Sequence, residues 1–547
     1  MTALVSGLTA MLAAVLLPFA PVSVSTPTVS WPQDASLPQS TQLMLHTYRP
    51  LGLDVRFTCH TVRLAHATPQ AIVLATVQPS LPNAGEVGLV VSADGDRISI
   101  RSVGVELLNE PIPFEGCTYR VAGDRDTGLV VSRDGEQLAA GPRERLPDVD
   151  ALVTSIDHIP LATDDDLAVR LRVDDQFSSS PTPIKVALVG LIVLALAVST
   201  AAGVRMDRGV TRPAAIPVGC RARVVDLVVL VVLVGWVFLA PTTDDDGYYS
   251  AMAWNYPLEG YIANYYQLYN QSFTPFTWFY VLLAKWQTLG LSPVVMRVPA
   301  LLAGLLTWLL LRRFVAGCLA RASRDSALPG SLRGRAGWVA PWVLAASFLV
   351  WWLPQDMGVR PETVVALCGT GALVAVAAAV ERRSLALAGT AVAIGALGFA
   401  AHPTGFSAVA PLLAAAPAVW FLVLRGRSPM GVAAGLSCVL APAAVAAIAG
   451  FADGTIRDFI ASQEIFLSIQ DQENWYSEYI RYAFLLDQIA MGSYAKRAPV
   501  LVTIVTLVWF VVLVAAARVQ RVPVPPRLTL AGWSLGVSLL LLWFTPS

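Results

Sequence analysis

The residues best suited to chemistry stand together in the stretch TTDDDGYYSAMAWN, where Asp244, Asp245 and Asp246 directly follow an apolar run. Three adjacent carboxylates repel one another and are costly to desolvate, and a helix end that needed only a cap would be served by one. A solvated cap is the plainest reading, hard-cation binding is a second, and proton transfer is a third. The next stretch, YPLEGYIANYYQLYNQSFTPFTWFY at 256–280, is dense in aromatic and amide side chains. Such planes suit sugar rings and equally suit a membrane-interface belt. Two shorter clusters follow: LPQDMGVRPE, with Gln355, Asp356, Arg360 and Glu362, and AHPTG, with His402. Arg is a natural bidentate phosphate ligand, whereas a lone His at a helix end is more often a satisfied structural group. In 453–498, Trp475, Tyr476, Tyr479, Arg481 and Tyr482 either line a groove or anchor helices on the membrane surface, anchoring being the simpler reading.

The composition says what kind of scaffold must hold these groups. Of 547 residues, 55% are hydrophobic and 14% charged, against about 25% charged in soluble domains. This is a membrane protein. Thirty-eight basic residues balance thirty-eight acidic ones, which leaves no global field to attract nucleic acid. Eleven apolar runs, at 4–22, 184–204, 224–241, 296–311, 336–353, 363–380, 385–401, 406–424, 431–450, 499–518 and 529–545, are long enough to cross a hydrocarbon core of about 30 Å. With the amino terminus inside, the inner loops hold eighteen Lys or Arg and the short outward stretches at 242–295, 354–362, 402–405 and 453–498 only six, as the positive-inside rule asks. The polar clusters then face outward at helix ends, whereas transporters place ionisable groups near the midplane. Met1–Gly7 carries no Lys or Arg, so the first run reads as a retained anchor rather than a cleaved signal peptide.

Residues 23–183 lack helical periodicity. Alternating runs, GLVVS at 88–92, ISIRSVGVEL at 98–107, GLVVS at 128–132 and LAVRLRV at 167–173, read as strands, with turns at Asp94-Gly95 and Asp134-Gly135. An extracytoplasmic β-sandwich is expected, with a disulfide between Cys59 and Cys117. Cys220, Cys318, Cys368 and Cys438 show no metal-ligand spacing and read as packing residues.

Taken together, DDGYYSAMA, the Asn264 to Trp278 segment, MGVRPE, HPTG, FADGT, WYSEYIRYAFL and GSYAKRAPV resemble the Emb-type arabinosyltransferases of mycobacteria, the ethambutol targets that build cell-wall arabinan. The resemblance covers the amino-terminal half of that family's length. It implies a GT-C membrane glycosyltransferase in the plasma membrane with its active face outside. The domains are then an anchor at 1–22, a carbohydrate-binding-like β-sandwich at 23–183, and a GT-C catalytic domain at 184–547 that the family pattern continues beyond. The implied donor is decaprenylphosphoryl-arabinofuranose, with no further cofactor and no metal, and no glycine-rich phosphate loop is present. The family's DDGY motif falls on Asp245 to Tyr248, which makes Asp245 the expected general base with Asp246 beside it. Asn264, Trp278, Arg360, Glu362, His402, Trp475, Tyr476 and Arg481 become substrate-binding candidates, with Arg360 and His402 as cations beside a leaving phosphate. Implied partners are the arabinan acceptor, a related arabinosyltransferase in a homo- or heterodimer, and an acyl carrier protein at the basic stretch Arg312 to Arg335. One departure concerns Phe273, which stands where the family carries an acid lining the acceptor and inhibitor site. Another lipid-phosphate-sugar transferase of GT-C type, or a truncated non-catalytic subunit, is the alternative reading.

Overall fold

Apolar alternation in the amino-terminal third becomes two antiparallel sheets. In this computed structural model, which describes residues 1–33, 37–43, 50–114, 116–163, 166–173, 175–208, 223–240, 244–264, 271–325, 330–354, 358–469, 494–521 and 524–543, the chain divides into residues 23–179 and a second unit of 1–22 with 180–547. The larger sheet of the first unit runs, edge to edge, Glu136–Gly141, Gly128–Arg133, Thr118–Asp124, Pro50–Thr58, Leu167–Val173 and Thr28–Trp31. The smaller runs Ile72–Ala75, Leu89–Asp94, Arg97–Ser102 and Val105–Pro111. Val55, Phe57, Val121, Leu129 and Val169 from the first sheet meet Leu74, Leu89, Val91, Ile98 and Ile100 from the second in one core, and the strands Leu167–Val173 and Leu89–Asp94 bury every other side chain. Cys59 and Cys117 are joined in a disulfide at the edge of this core, their Cα atoms 5.2 Å apart.

The run ISIRSVGVEL departs from the expectation of one strand. Val103 and Gly104 take positive φ angles of 48° and 74° and turn the chain back on itself. A β-branched residue is a poor turn former, so the sequence hid this hairpin. Asp134 and Gly135 form their turn with φ of 51° and 89°, while the other tight turn is made by Gly95 and Asp96 between the paired Asp94 and Arg97.

In the membrane unit the described residues of the eleven apolar runs are helical along most of their length, with 431–450 divided between Pro429–Leu440 and Ala444–Phe451. Among the described residues, seven helices are long and apolar enough to span a bilayer, and three more apolar helices are shorter. Small residues let the backbones approach. Ala3, Ala202, Ala434 and Cys438 share one cluster and Ala10, Ala195 and Ala441 another, so the first helix, Thr2–Leu16, packs against Pro183–Arg208 and the segment 429–451. Lys185, wholly buried, donates from Nζ to the carbonyls of Leu17 and Ala20 at 3.0 and 3.1 Å and closes the end of that first helix.

The expected docking stretch Arg312 to Arg335 is corrected in part. It is helical through Asp325, and Arg312, 4% exposed, is spent on an internal bidentate pair with Asp226 at 2.8 and 3.1 Å. Arg321 and Arg527 both clasp Glu381. Each of these pairs neutralises a guanidinium at a helix seam, which takes Arg312 off any partner surface and commits Arg321 to an internal carboxylate.

Candidate active site

The helix Asp244–Glu259 begins at the acidic triplet and lies against the helix Trp278–Gln287, with Met252 and Ala253 buried among Phe279, Tyr280 and Leu283. That packing fixes where its first turn stands. The side chains of Asp244 and Asp245 lie outside the described residues. Asp246 accepts a hydrogen bond at Oδ1 from the Val359 backbone N–H at 3.2 Å. Gly358 lies so close to this carboxylate that a β-carbon there would collide with it. Asp246 therefore fastens the Gly358-Val359-Arg360 turn to the helix that carries Asp245.

The same turn leads through Pro361 into the helix Glu362–Arg382. One carboxylate oxygen of Glu362 is buried with no hydrogen-bond partner among the described residues. His402 opens the turn Pro403–Gly405, its Nδ1 accepting from the Thr404 N–H at 3.3 Å and lying 2.9 Å from the Thr404 hydroxyl. The proton of the neutral ring is thereby left on Nε2. Burial pushes the His402 pKa down, Glu362 pulls it up and Arg360 pushes it down again. The downward shift leaves the ring neutral near pH 7 and able to donate from Nε2.

Aromatic residues wall the site. The indole N–H of Trp278 and the hydroxyl of Tyr280 are buried without hydrogen-bond partners among the described residues. Tyr280 is fully buried, its ring 5.7 Å from Tyr249 and edge-on to Phe273 at 5.5 Å. Burial pushes its phenol well up, with Tyr249, Glu362 and Tyr248 adding to the rise and Arg360 opposing it. The phenol thus stays protonated and able to donate. These mutual influences bring Tyr248, Tyr249, Tyr280, Arg360, Glu362 and His402 into one electrostatic neighbourhood. Phe273 fills its place with an aromatic edge against Tyr280 and Phe276 and no charge.

Of the other candidates, Asn264 pairs with Gln271 in a short hairpin, its side chain outside the described residues. Trp475, Tyr476 and Arg481 also lie outside the described residues. Tyr280 was not singled out in the sequence, where a phenol two residues past Trp278 looks like any interfacial aromatic. A second cluster was missed as well: burial pushes the Asp453 and Asp458 carboxyls up, with Lys185 drawing both down. Asp458 also caps the helix Ile456–Ile469 by accepting from the Thr455 N–H at 2.6 Å. Among the described residues no group of three or more His, Cys, Asp or Glu could hold a metal ion.

A family model described as mycobacterial cell wall arabinan synthesis protein matches residues 180–547. The chain belongs to this family. Residues 23–176 match a second model, the arabinosyltransferase concanavalin-like domain. Probable arabinosyltransferase A of Mycobacterium tuberculosis is 31% identical over 569 residues, a match covering 100% of this chain and 51% of the relative. Probable arabinosyltransferase C of the same organism is 30% identical, covering 100% and 50%. The chain thus spans about half the length of the curated relatives it matches. The cryo-EM structure of arabinosyltransferase EmbB from Mycobacterium smegmatis superposes with a TM-score of 0.72 over 99% of this chain and 53% of that one, at 23% identity. The GT-C membrane fold follows from that likeness.

Proposed function

We propose that this site transfers an arabinofuranosyl group, with inversion, from decaprenylphosphoryl-arabinose to a hydroxyl of growing cell-wall arabinan. Asp245 takes the acceptor's proton as the acceptor oxygen bonds to the anomeric carbon. The bond from that carbon to the phosphate oxygen breaks, and the lipid phosphate leaves with the electron pair. One base is enough, since a phosphate is already a weak base and Arg360 offers it a bidentate cation. Asp246 joins the turn bearing Arg360 to the helix bearing Asp245 through the Val359 N–H. Base and phosphate ligand are thus held by one joint. Trp278, Tyr280 and His402 donate to sugar hydroxyls, and Glu362 accepts from one.

The observation that carries this reading is a set of three buried polar atoms with no hydrogen-bond partner among the described residues, on Trp278 and Tyr280 of the helix packed against Asp244–Glu259 and on Glu362. Buried polar groups are almost always paired, so these orphans call for a polar ligand. The reading includes a plasma-membrane location with the site facing outward, and a dimer with a related arabinosyltransferase. An acyl carrier protein on the inner face would meet the exposed Arg313 rather than Arg312 or Arg321.

The test joins residues 1–547 to the remaining half of M. tuberculosis arabinosyltransferase A and supplies membranes with an arabinan acceptor and either decaprenylphosphoryl-arabinose or decaprenylphosphoryl-mannose. Transfer from the arabinose donor alone is expected. Transfer from the mannose donor would reassign the substrate, and transfer from neither would contradict a catalytic site. Arg360→Ala should raise the donor KM by about tenfold or more, the worth of a charged hydrogen bond.

A further inference from the structure

We propose that the solvent face of the six-stranded sheet in residues 23–179 is a binding trough for a glycan that carries phosphate or carboxylate groups. Strand alternation turns Gly52, Asp54, Arg120, Ala122, Arg170 and Arg172 away from the sandwich core. Register then sets Gly52 between Arg172 and Asp124, and Asp54 between Arg170 and Ala122. Residues with little or no side chain form a floor in mid-sheet, long arginines rise on either side, and a trough of about 490 Å³ results.

The charges in this trough are unevenly committed. Asp54 is held bidentately by Arg120 at 2.8 and 3.0 Å and also receives Arg56 at 3.4 Å. Oδ1 of Asp124 accepts from the Asp126 N–H, the Thr127 N–H and the Thr127 hydroxyl at 2.9, 2.7 and 2.7 Å. Arg170 and Arg172 stand two residues apart on one strand face, both exposed, and neither makes a hydrogen bond or ion pair among the described residues, Arg172 having only a longer-range attraction to Asp124. Two planar guanidiniums beside carboxylates already engaged are bidentate receptors for phosphate or carboxylate. Thr28, Thr127 and Ser132 on the rim offer donors and acceptors to hydroxyls. The described lining holds no aromatic ring. A neutral sugar would rest its apolar face on such a ring, so the chemistry favours a charged, hydroxyl-rich chain.

Calorimetric titration of the full chain in detergent micelles with trigalacturonic acid, mannotriose 6-phosphate and neutral mannotriose tests this. Both anionic trisaccharides should bind at least about tenfold more tightly than the neutral one, and their affinity should fall as salt rises. The double substitution Arg170→Glu, Arg172→Glu should weaken both by about tenfold or more without changing the thermal midpoint. Ala122→Trp, which fills the floor and keeps both arginines, should abolish binding. Equal binding of neutral mannotriose, no binding of any probe, or anionic binding untouched by the arginine exchange would overturn the proposal. Inorganic phosphate or glycerol 1-phosphate binding as tightly as the phosphorylated trisaccharide would overturn it too, by reducing the trough to a simple anion or lipid-headgroup site.

Discussion

In residues 23–179 the buried polar groups find partners within the fold: the Thr61 hydroxyl donates to the Asp166 carbonyl at 2.5 Å, and the Thr76 hydroxyl to the Asp148 carbonyl at 2.7 Å. The Asp166 carboxylate in turn receives the Thr58 hydroxyl and the N–H groups of Ala162 and Thr163. Among the described residues of the membrane unit, by contrast, nine buried side-chain atoms have no partner, those of Trp278, Tyr280 and Glu362 among them. Each unpaired buried group costs about 1–3 kcal/mol, and a hydrocarbon surround supplies no water to relieve it. A sandwich that closes its own hydrogen bonds is finished as a structure. A site that leaves several open is completed by what it binds.

The sharpest way to break this contrast is at the joint between the two site segments. Gly358→Ala puts a methyl against the Asp246 carboxylate and should lower transfer by about 10²-fold by displacing Arg360, with the helices intact by circular dichroism. Wild-type turnover would show that the joint positions nothing. Removing one hydroxyl from each region comes next. Thr61→Val deletes a buried hydrogen bond, leaving the Asp166 carbonyl the Thr58 N–H, and should destabilise the sandwich by about 1 kcal/mol, read from hydrogen exchange in its strands. Tyr280→Phe removes an orphan instead, so the ligand-free protein should hold or gain thermal stability while transfer falls about tenfold. If both substitutions destabilise alike, the contrast between the regions is lost.

The smallest effect is in pH. The His402 pKa lies below its usual 6.5, so as pH falls the unfolded chain takes up the proton first. Stability from the neutral ring is full above about 6.5 and drains away as pH drops below it toward the folded value. His402→Gln should flatten that dependence over pH 5 to 7 in a thermal-melt series. An unchanged slope would assign the pH response to other groups.

Hydropathy made the helices legible because a bilayer demands long apolar runs, and alternation made the strands at 89–94, 128–133 and 167–173 legible because one face of each is buried. The hairpin at Val103 was illegible, since its turn rests on backbone angles that its residue type does not advertise. At the site, Arg360, Glu362 and His402 stood out as polar residues at apolar helix ends. Their protonation did not, for the neutral state of His402 depends on burial and on Thr404, neither of which spacing reveals. Tyr280 was hidden because an aromatic in a belt and an aromatic in a pocket have the same letter. The pairing of Arg312 with Asp226, 86 positions away in sequence, likewise needed the fold.

The central claim is that a carboxylate at the start of the helix Asp244–Glu259 activates the acceptor, and Asp245→Asn tests it most directly. Asn keeps the shape and cannot accept the proton. In the chimera with the remaining half of arabinosyltransferase A, initial rates of transfer from decaprenylphosphoryl-arabinose should fall by about 10²-fold or more while the donor KM stays within about twofold. Undiminished turnover in the Asp245→Asn protein would contradict the account.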